Sequence, residues 1–330
     1  MKGTVDILLA TYNGEKYISE QIESILNQTY KNIRLLISDD CSTDNTRTIL
    51  REWVEKDERV FLCEQPKNLG YIKNFEFLLN QVESPLFMLS DQDDVWLPEK
   101  VEKSIEILKK ENADLVFGDL EVVDENLNTI YPSFGDFMLL NRKIKKEIGS
   151  YKVNYLYNCV TGCTILSKKE WIPKILPVPS KSKYVAHDHW IGLMIALEGK
   201  LAYMPEKYIK YRQHGNNQIG TDKISHKFKK LDQVRKLFLD VKLGVFGTYV
   251  NNNKRFPKPI QELNEKAYKY YKMLEKKKNF NFENWGVFHQ LYKSETPIYY
   301  IENFIILNLP LIGRGLFNIR YLFLKIAGKR

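Results

Sequence analysis

Up to about residue 125, short continuous apolar runs alternate with stretches whose apolar positions recur every three or four residues. The runs at 5–10, 33–38, 60–64, 86–89 and 115–123 predict buried strands. A strand covered on both faces is apolar throughout, not at alternate positions. The stretches 15–27, 45–56, 71–82 and 99–111 predict helices; in the first, Tyr17, Ile18, Ile22, Ile25 and Leu26 fall at helical spacing. Turn and cap signals separate them: Thr11-Tyr12-Asn13-Gly14, Ser42-Thr43-Asp44, Asn68-Leu69-Gly70 and Pro98. This alternation predicts an α/β domain, a mostly parallel sheet flanked by helices.

Residues 126–160 carry no clear period and are expected to include loops over a site. A short strand is predicted at 163–167, a short helix at 168–174, a helix at 187–197 and a strand or hairpin edge at 201–211. From residue 222 the pattern is helical almost throughout. The predicted segments are 223–250, 258–278, 283–293, 297–309 and 315–327, broken by Pro257, Pro259, Pro297 and Pro310. The expected division is a domain at 1–222 and a helical region at 223–330.

Composition sharpens that division. The 330 residues are 44% hydrophobic and 28% charged, which excludes a disordered chain. Residues 1–222 hold 28 Lys and Arg against 33 Asp and Glu, a net −5; residues 223–330 hold 22 against 8, a net +14. A basic, aromatic-rich region suits an anionic membrane surface or a nucleic acid. No nucleic-acid motif is present, and the acidic first part would repel a phosphate backbone, so nucleic acid is set aside. The four cysteines form no CxxC and fit neither a zinc site nor a disulfide framework, which points to a reduced, cytoplasmic setting. The N-terminal apolar run is too short for a signal peptide. The best apolar stretch, 303–313, is far below the roughly 20 residues that span a bilayer. The first strand is not followed by GxGxxG, and GxxxxGK[ST] is absent, which excludes dinucleotide-dependent dehydrogenases and phosphate-loop enzymes.

In open parallel sheets, ligands lie beyond the carboxyl ends of the strands. Asp39 and Asp40 fall at one such end and Asp91, Asp93 and Asp94 at another; Asp188 stands alone later. Gathered carboxylates repel one another unless a cation or a hydrogen-bonding ligand joins them. Asp44 reads as a helix cap, and Asp94 as either a cap or a member of the cluster.

The segments ILLATYNG at 7–14, SDDCSTD at 38–44 and SDQDDVW at 90–96, with VTGCT at 160–164, HDHW at 187–190 and YRQHG at 211–215, resemble family-2 glycosyltransferases. These are inverting enzymes of the GT-A fold. The wording is most similar to bacterial rhamnosyltransferases of cell-wall, capsule and O-antigen synthesis, over roughly residues 3–220. The resemblance implies a nucleotide-sugar-binding half at 1–125 and an acceptor half at 126–222. It implies that Thr11, Tyr12, Asn13, Asp40, Lys73, Asp91 and Arg212 bind the nucleotide sugar. A carboxylate at 40 would accept the imide N–H of uracil or thymine. It implies that Asp93 and His214 hold Mn²⁺ or Mg²⁺, and that Thr161, Gly162 and Trp190 line the acceptor pocket. Asp188 is the implied base: a single displacement needs one carboxylate to take the acceptor proton. The implied partners are a nucleotide-diphospho-sugar donor and a saccharide acceptor, commonly lipid-linked. A donor other than dTDP-L-rhamnose, such as a UDP-hexose, stays open, as does a non-catalytic nucleotide-sugar or glycan-binding protein. The basic region, with Leu316, Ile319, Phe323 and Ile326 on one helical face, is expected at the inner face of the plasma membrane. Packing on the catalytic domain or homodimerisation is the alternative.

Overall fold

The computed structural model describes residues 3–137, 151–215, 231–276 and 282–293. Two compact units are present: Met1–Lys181 with Ala186–Gly220, and Ser182–Val185 with Thr221–Arg330.

The first unit is built on a seven-stranded sheet. Its early strands are β1 (Val5–Thr11), β2 (Ile33–Asp39), β3 (Val60–Leu62) and β4 (Leu86–Ser90), with helices α1 (Ile18–Leu26), α2 (Thr46–Lys56) and α3 (Tyr71–Leu79) between them. Then come the short β5 (Val95–Trp96), α4 (Lys100–Lys110), β6 (Leu115–Gly118), β7 (Glu121–Val123) and β8 (Thr129–Tyr131). Three short helices follow, α5 (Phe134–Phe137), α6 (Tyr151–Leu156) and α7 (Ile172–Ile175), with β9 (Leu166–Lys168) before the last. Helix α8 (His187–Ala196), β10 (Leu201–Met204) and β11 (Ile209–Arg212) complete the unit.

The large sheet runs β10-β6-β9-β4-β1-β2-β3. Strand β1 is parallel to both β2 and β4, in register Thr11 with Asp39 and Leu9 with Ser90. The carboxyl ends of three apolar strands therefore lie side by side, as the alternating pattern requires. Ile7, Leu9, Leu35, Ile37 and Met88 are buried there, and α1 covers them with Ile18, Ile22 and Ile25. Its one buried polar residue, Gln21, donates to Ser90 Oγ at 2.7 Å.

Four predicted elements differ in detail. The strand expected at 163–167 begins as a 3-10 turn at Gly162–Thr164 and becomes β9 only at Leu166. The run 115–123 is two strands in two sheets, because the Asp119 carboxylate accepts the N–H groups of Leu120 and Gly135 and turns the chain. The run 201–211 is likewise two strands, β10 and β11. The stretch 168–174 opens as a 3-10 turn at Lys169–Trp171 before α7. Strand β9 runs antiparallel between β4 and β6. The second sheet, β5-β11-β7-β8, pairs β11 with β5 just after the 90–94 segment, and so brings residues 212–214 beside it.

The second unit contains α9 (Leu231–Asn251), α10 (Lys258–Glu275) and α11 (Phe282–Tyr292). Phe246 stacks on Tyr271, and the Tyr271 and Tyr292 hydroxyls share a hydrogen bond of 2.7 Å. Gly244 faces the Tyr184 ring so closely that a Cβ would lie 2.0 Å from it. The helices predicted at 297–309 and 315–327, with Leu316, Ile319, Phe323 and Ile326, lie outside the described residues. Among those described, no helix is long and apolar enough to cross a membrane.

Candidate active site

The site is assembled where β1, β2 and β4 end. After β1, Asn13 adopts a positive φ of 50°, a conformation Asn tolerates better than most residues. Its side-chain oxygen accepts the Thr43 N–H at 2.8 Å, and its own N–H goes to Ser42 Oγ at 2.8 Å. Asn13 thus knits the first loop to the second. Tyr12 beside it leaves its ring 46% exposed at the mouth of the sheet.

The two acids after β2 divide the work. Asp39 supports: it accepts Ser42 and the Arg47 guanidinium, the latter at 2.7 Å. Asp40 accepts the N–H groups of Leu69 at 2.6 Å and Gly70 at 2.8 Å, and so pins the start of α3. Lys73, one turn along α3, pairs with Glu76 at 2.6 Å.

Gln92 was not singled out from the sequence. Its Oε1 accepts Thr11 Oγ1 at 2.6 Å and the Tyr12 N–H at 2.8 Å, while its Nε2 donates to the Tyr12 carbonyl at 3.2 Å. A Cβ on Gly14 would meet the same Oε1 at 2.6 Å, so this glycine is required by the clamp. The middle residue of Asp91-Gln92-Asp93 therefore ties the first loop to the acidic turn.

Asp93 Oδ2 lies 2.9 Å from His214 Nε2. Tyr17, at the foot of α1, has its ring centroid 4.9 Å from that of His214 and carries the Arg212 guanidinium 4.6 Å above its face. Arg212 departs from its expected role toward the nucleotide sugar. Its guanidinium is buried and donates to the Asp93 and Glu125 carbonyls and to Glu20, which makes it a tie that positions the acidic turn.

Behind this turn the side chains of Asp91, Asp94 and Cys163 approach one another within 4.8 Å. Burial and the nearby Asp93 and Asp188 charges push Asp91 up to about 7, and burial raises Asp94 well above the usual carboxylate range. Asp94 is fully buried and belongs to this cluster, not to a helix cap. Lys100 is buried beneath it, its Nζ 3.3 Å from the Trp96 ring centroid and lacking a hydrogen-bond partner among the described residues. Burial lowers this amine to about 7. Between that value and the unfolded value, about 10.4, the unfolded chain binds one proton more, so stability falls as pH drops. Lys100→Met is expected to raise the melting temperature. Its advantage should grow by up to about 1.4 kcal/mol for each unit the pH falls from 10 toward 7. Melts of both proteins across that range check this; a pH-independent difference would mean that Lys100 stays charged.

Asp188 stands in the first turn of α8. Its carboxylate accepts the Gly162 N–H at 3.2 Å, Asn158 Nδ2 at 3.1 Å and the His189 N–H at 2.6 Å. Its negative charge adds to those that raise Asp91. Gly162 touches this wall with no room to spare: a Cβ would lie 3.0 Å from His187 Nε2. Thr161 precedes it and is partly exposed, its carbonyl accepting Thr164 Oγ1. Trp190, expected at the acceptor pocket, is instead fully buried, with Nε1 donating to the Ile175 carbonyl at 2.9 Å. Two residues on from Asp188, it lies on roughly the opposite side of α8 and turns into the core.

The model of the family described as glycosyl transferase family 2 matches residues 6–176. The chain belongs to glycosyl transferase family 2. Among its relatives, the dTDP-rhamnosyl transferase RfbG of Shigella flexneri is 31% identical over 242 residues, 69% of this chain and 79% of that protein. The UDP-Glc:alpha-D-GlcNAc-diphosphoundecaprenol beta-1,3-glucosyltransferase WfgD of Escherichia coli is 28% identical over 255 residues, 75% of this chain and 87% of that protein. Other curated relatives are matched over 66% of their length. A solved structure, the mannosyltransferase PcManGT of Pyrobaculum calidifontis in complex with GDP-Man and Mn2+, is similar with a TM-score of 0.56 and 14% identity. The likeness covers 97% of this chain and 88% of that one. It shows the fold, which is GT-A. As a family-2 member, this glycosyltransferase is an enzyme, as the sequence predicts.

Proposed function

We propose that this glycosyltransferase moves a hexose, with dTDP-L-rhamnose as the favoured donor, to a saccharide acceptor by one inverting displacement in bacterial surface polysaccharide synthesis. The observation that carries the reading is the convergence of Asp40, Asp91, the Asp93–His214 pair and Asp188 at one end of the sheet. The rhamnosyl donor is supported by the motif wording and by the similarity to RfbG. The name of WfgD supports a second reading, a UDP-hexose donor.

Each residue has a task in this scheme. Tyr12 lies against the base, and Asp40 receives an N–H from it beside the backbone groups it already accepts. Gln92 and Arg212 keep the acidic turn in place. A carboxylate oxygen and an imidazole nitrogen, already 2.9 Å apart, form a donor set that suits a divalent cation such as Mn²⁺ or Mg²⁺, so Asp93 and His214 would hold it. Bound there, the cation would neutralise the leaving diphosphate. Asp188 takes the acceptor hydroxyl proton as the anomeric carbon is attacked. Its oxygens are oriented by Gly162 and Asn158, so little reorganisation is needed.

The test is a panel of dTDP- and UDP-sugars read as nucleoside diphosphate released, with the saccharide acceptor free or carried on anionic vesicles. Turnover with one donor and an inverted product linkage supports the reading. Faster transfer on vesicles, suppressed by salt, supports a membrane role for the basic region 223–330. A retained anomeric configuration overturns the mechanism.

A further inference from the structure

Among the described residues of the first unit, the large aromatic side chains left exposed are Tyr12, Phe61 and Tyr71. Phe61 is capped by Arg34 at the sheet edge, 5.7 Å from its ring centroid. Tyr12 stands at the end of β1, where the reading above places the base. Tyr71, 43% exposed, is left without a task.

Its position is strongly determined. Tyr71 opens α3 directly after Gly70, whose φ of +78° sets the entry into the helix and whose N–H is held by Asp40. One side of the ring packs edge-on against His187, with centroids 5.9 Å apart and planes at 73°. His187 in turn stacks on Phe75 from the next turn of α3, at 4.2 Å and 18°. Burial lowers the affinity of His187 for a proton, so this support is an uncharged ring at neutral pH. Burial, and then the Asp188 charge, raise the Tyr71 hydroxyl above its ordinary range, so it stays protonated and within the field of that carboxylate. A neutral aromatic ring braced on one side and left 43% exposed is suited to the C–H face of a pyranose, and its hydroxyl to a sugar hydroxyl.

We propose that Tyr71, braced by His187 and Phe75, is the stacking platform for the acceptor saccharide and sets its hydroxyl before Asp188. The inference rests on the transferase reading above. The acceptor is favoured over the transferred sugar because the group in contact with Asp188 is the attacking hydroxyl. The donor grips, by contrast, stand on the ends of β1, β2 and β4. Trp190, the other candidate for stacking, is closed off in the core.

Initial rates of the full-length enzyme with varied acceptor and varied donor decide the matter, alongside calorimetric affinity for the nucleoside diphosphate. Tyr71→Ala is expected to raise the acceptor KM about 3- to 10-fold, the range a lost aromatic contact implies. Donor KM, nucleoside diphosphate affinity and melting temperature should hold. Tyr71→Phe should keep most of the acceptor affinity, since the ring remains. An unchanged acceptor KM in a stable Tyr71→Ala protein, or a rise in donor KM instead, overturns the platform and leaves the transferase reading intact. A wild-type enzyme that turns over no sugar nucleotide removes both.

Discussion

Asp188→Asn is expected to lower kcat by about 10²–10⁴-fold, the usual cost of removing a general base. The substitution is nearly isosteric. Its amide oxygen can keep one of the hydrogen bonds now given by Gly162, Asn158 and His189, so α8 should stay in place. The amide cannot accept the acceptor's proton. Donor affinity should be unchanged, because the residues proposed to hold the nucleotide stand at the ends of β1, β2 and β4 and not on α8. Rapid-quench turnover of bound donor, paired with calorimetric donor affinity, separates the roles. Weakened binding with undiminished turnover would make Asp188 a binding residue.

Asp93→Ala should reduce transfer by about 10³-fold or more, since the cation it would hold contributes several kcal/mol to the transition state. The protein should still fold: Gln92 holds the turn through the Tyr12 carbonyl and Arg212 through the Asp93 backbone carbonyl, and both bonds survive loss of the carboxylate. The wild-type enzyme should lose activity in EDTA and regain it with added Mn²⁺ or Mg²⁺. Undiminished wild-type rates in chelator, or a fully active Asp93→Ala, would falsify the assignment of this pair.

Much of the first unit was legible in the sequence for a simple reason. Strands β1, β2 and β4 are buried on both faces, so their apolar runs are unbroken, and each ends in a polar loop that cannot continue the sheet. The acidic residues stood out because nothing in packing calls for them. What stayed hidden depends on partners far along the chain. Gln92 is a carboxamide between two acids, and its grip on Tyr12 exists only once β4 lies beside β1. Arg212 has the charge to bind a diphosphate, yet the β5–β11 pairing delivers it to carbonyls and to Glu20. Trp190 and Asp188 are two residues apart on one helix, and only the direction α8 faces tells which enters the site. Strand β9 is three residues long, too short for its pattern to reveal the antiparallel place it takes.

That small strand has an engineering consequence. With β9 lying between β4 and β6, those two strands never pair, although both belong to the first 125 residues. A fragment cut at 125 would leave two hydrophobic strands with open backbone edges facing a gap. Such edges invite pairing with other chains. Exchanging residues 1–125 between relatives as a cassette would set one relative's β4 and β6 against the other's β9. The segment through Lys168 therefore belongs with the donor-binding strands in any transplant of donor preference.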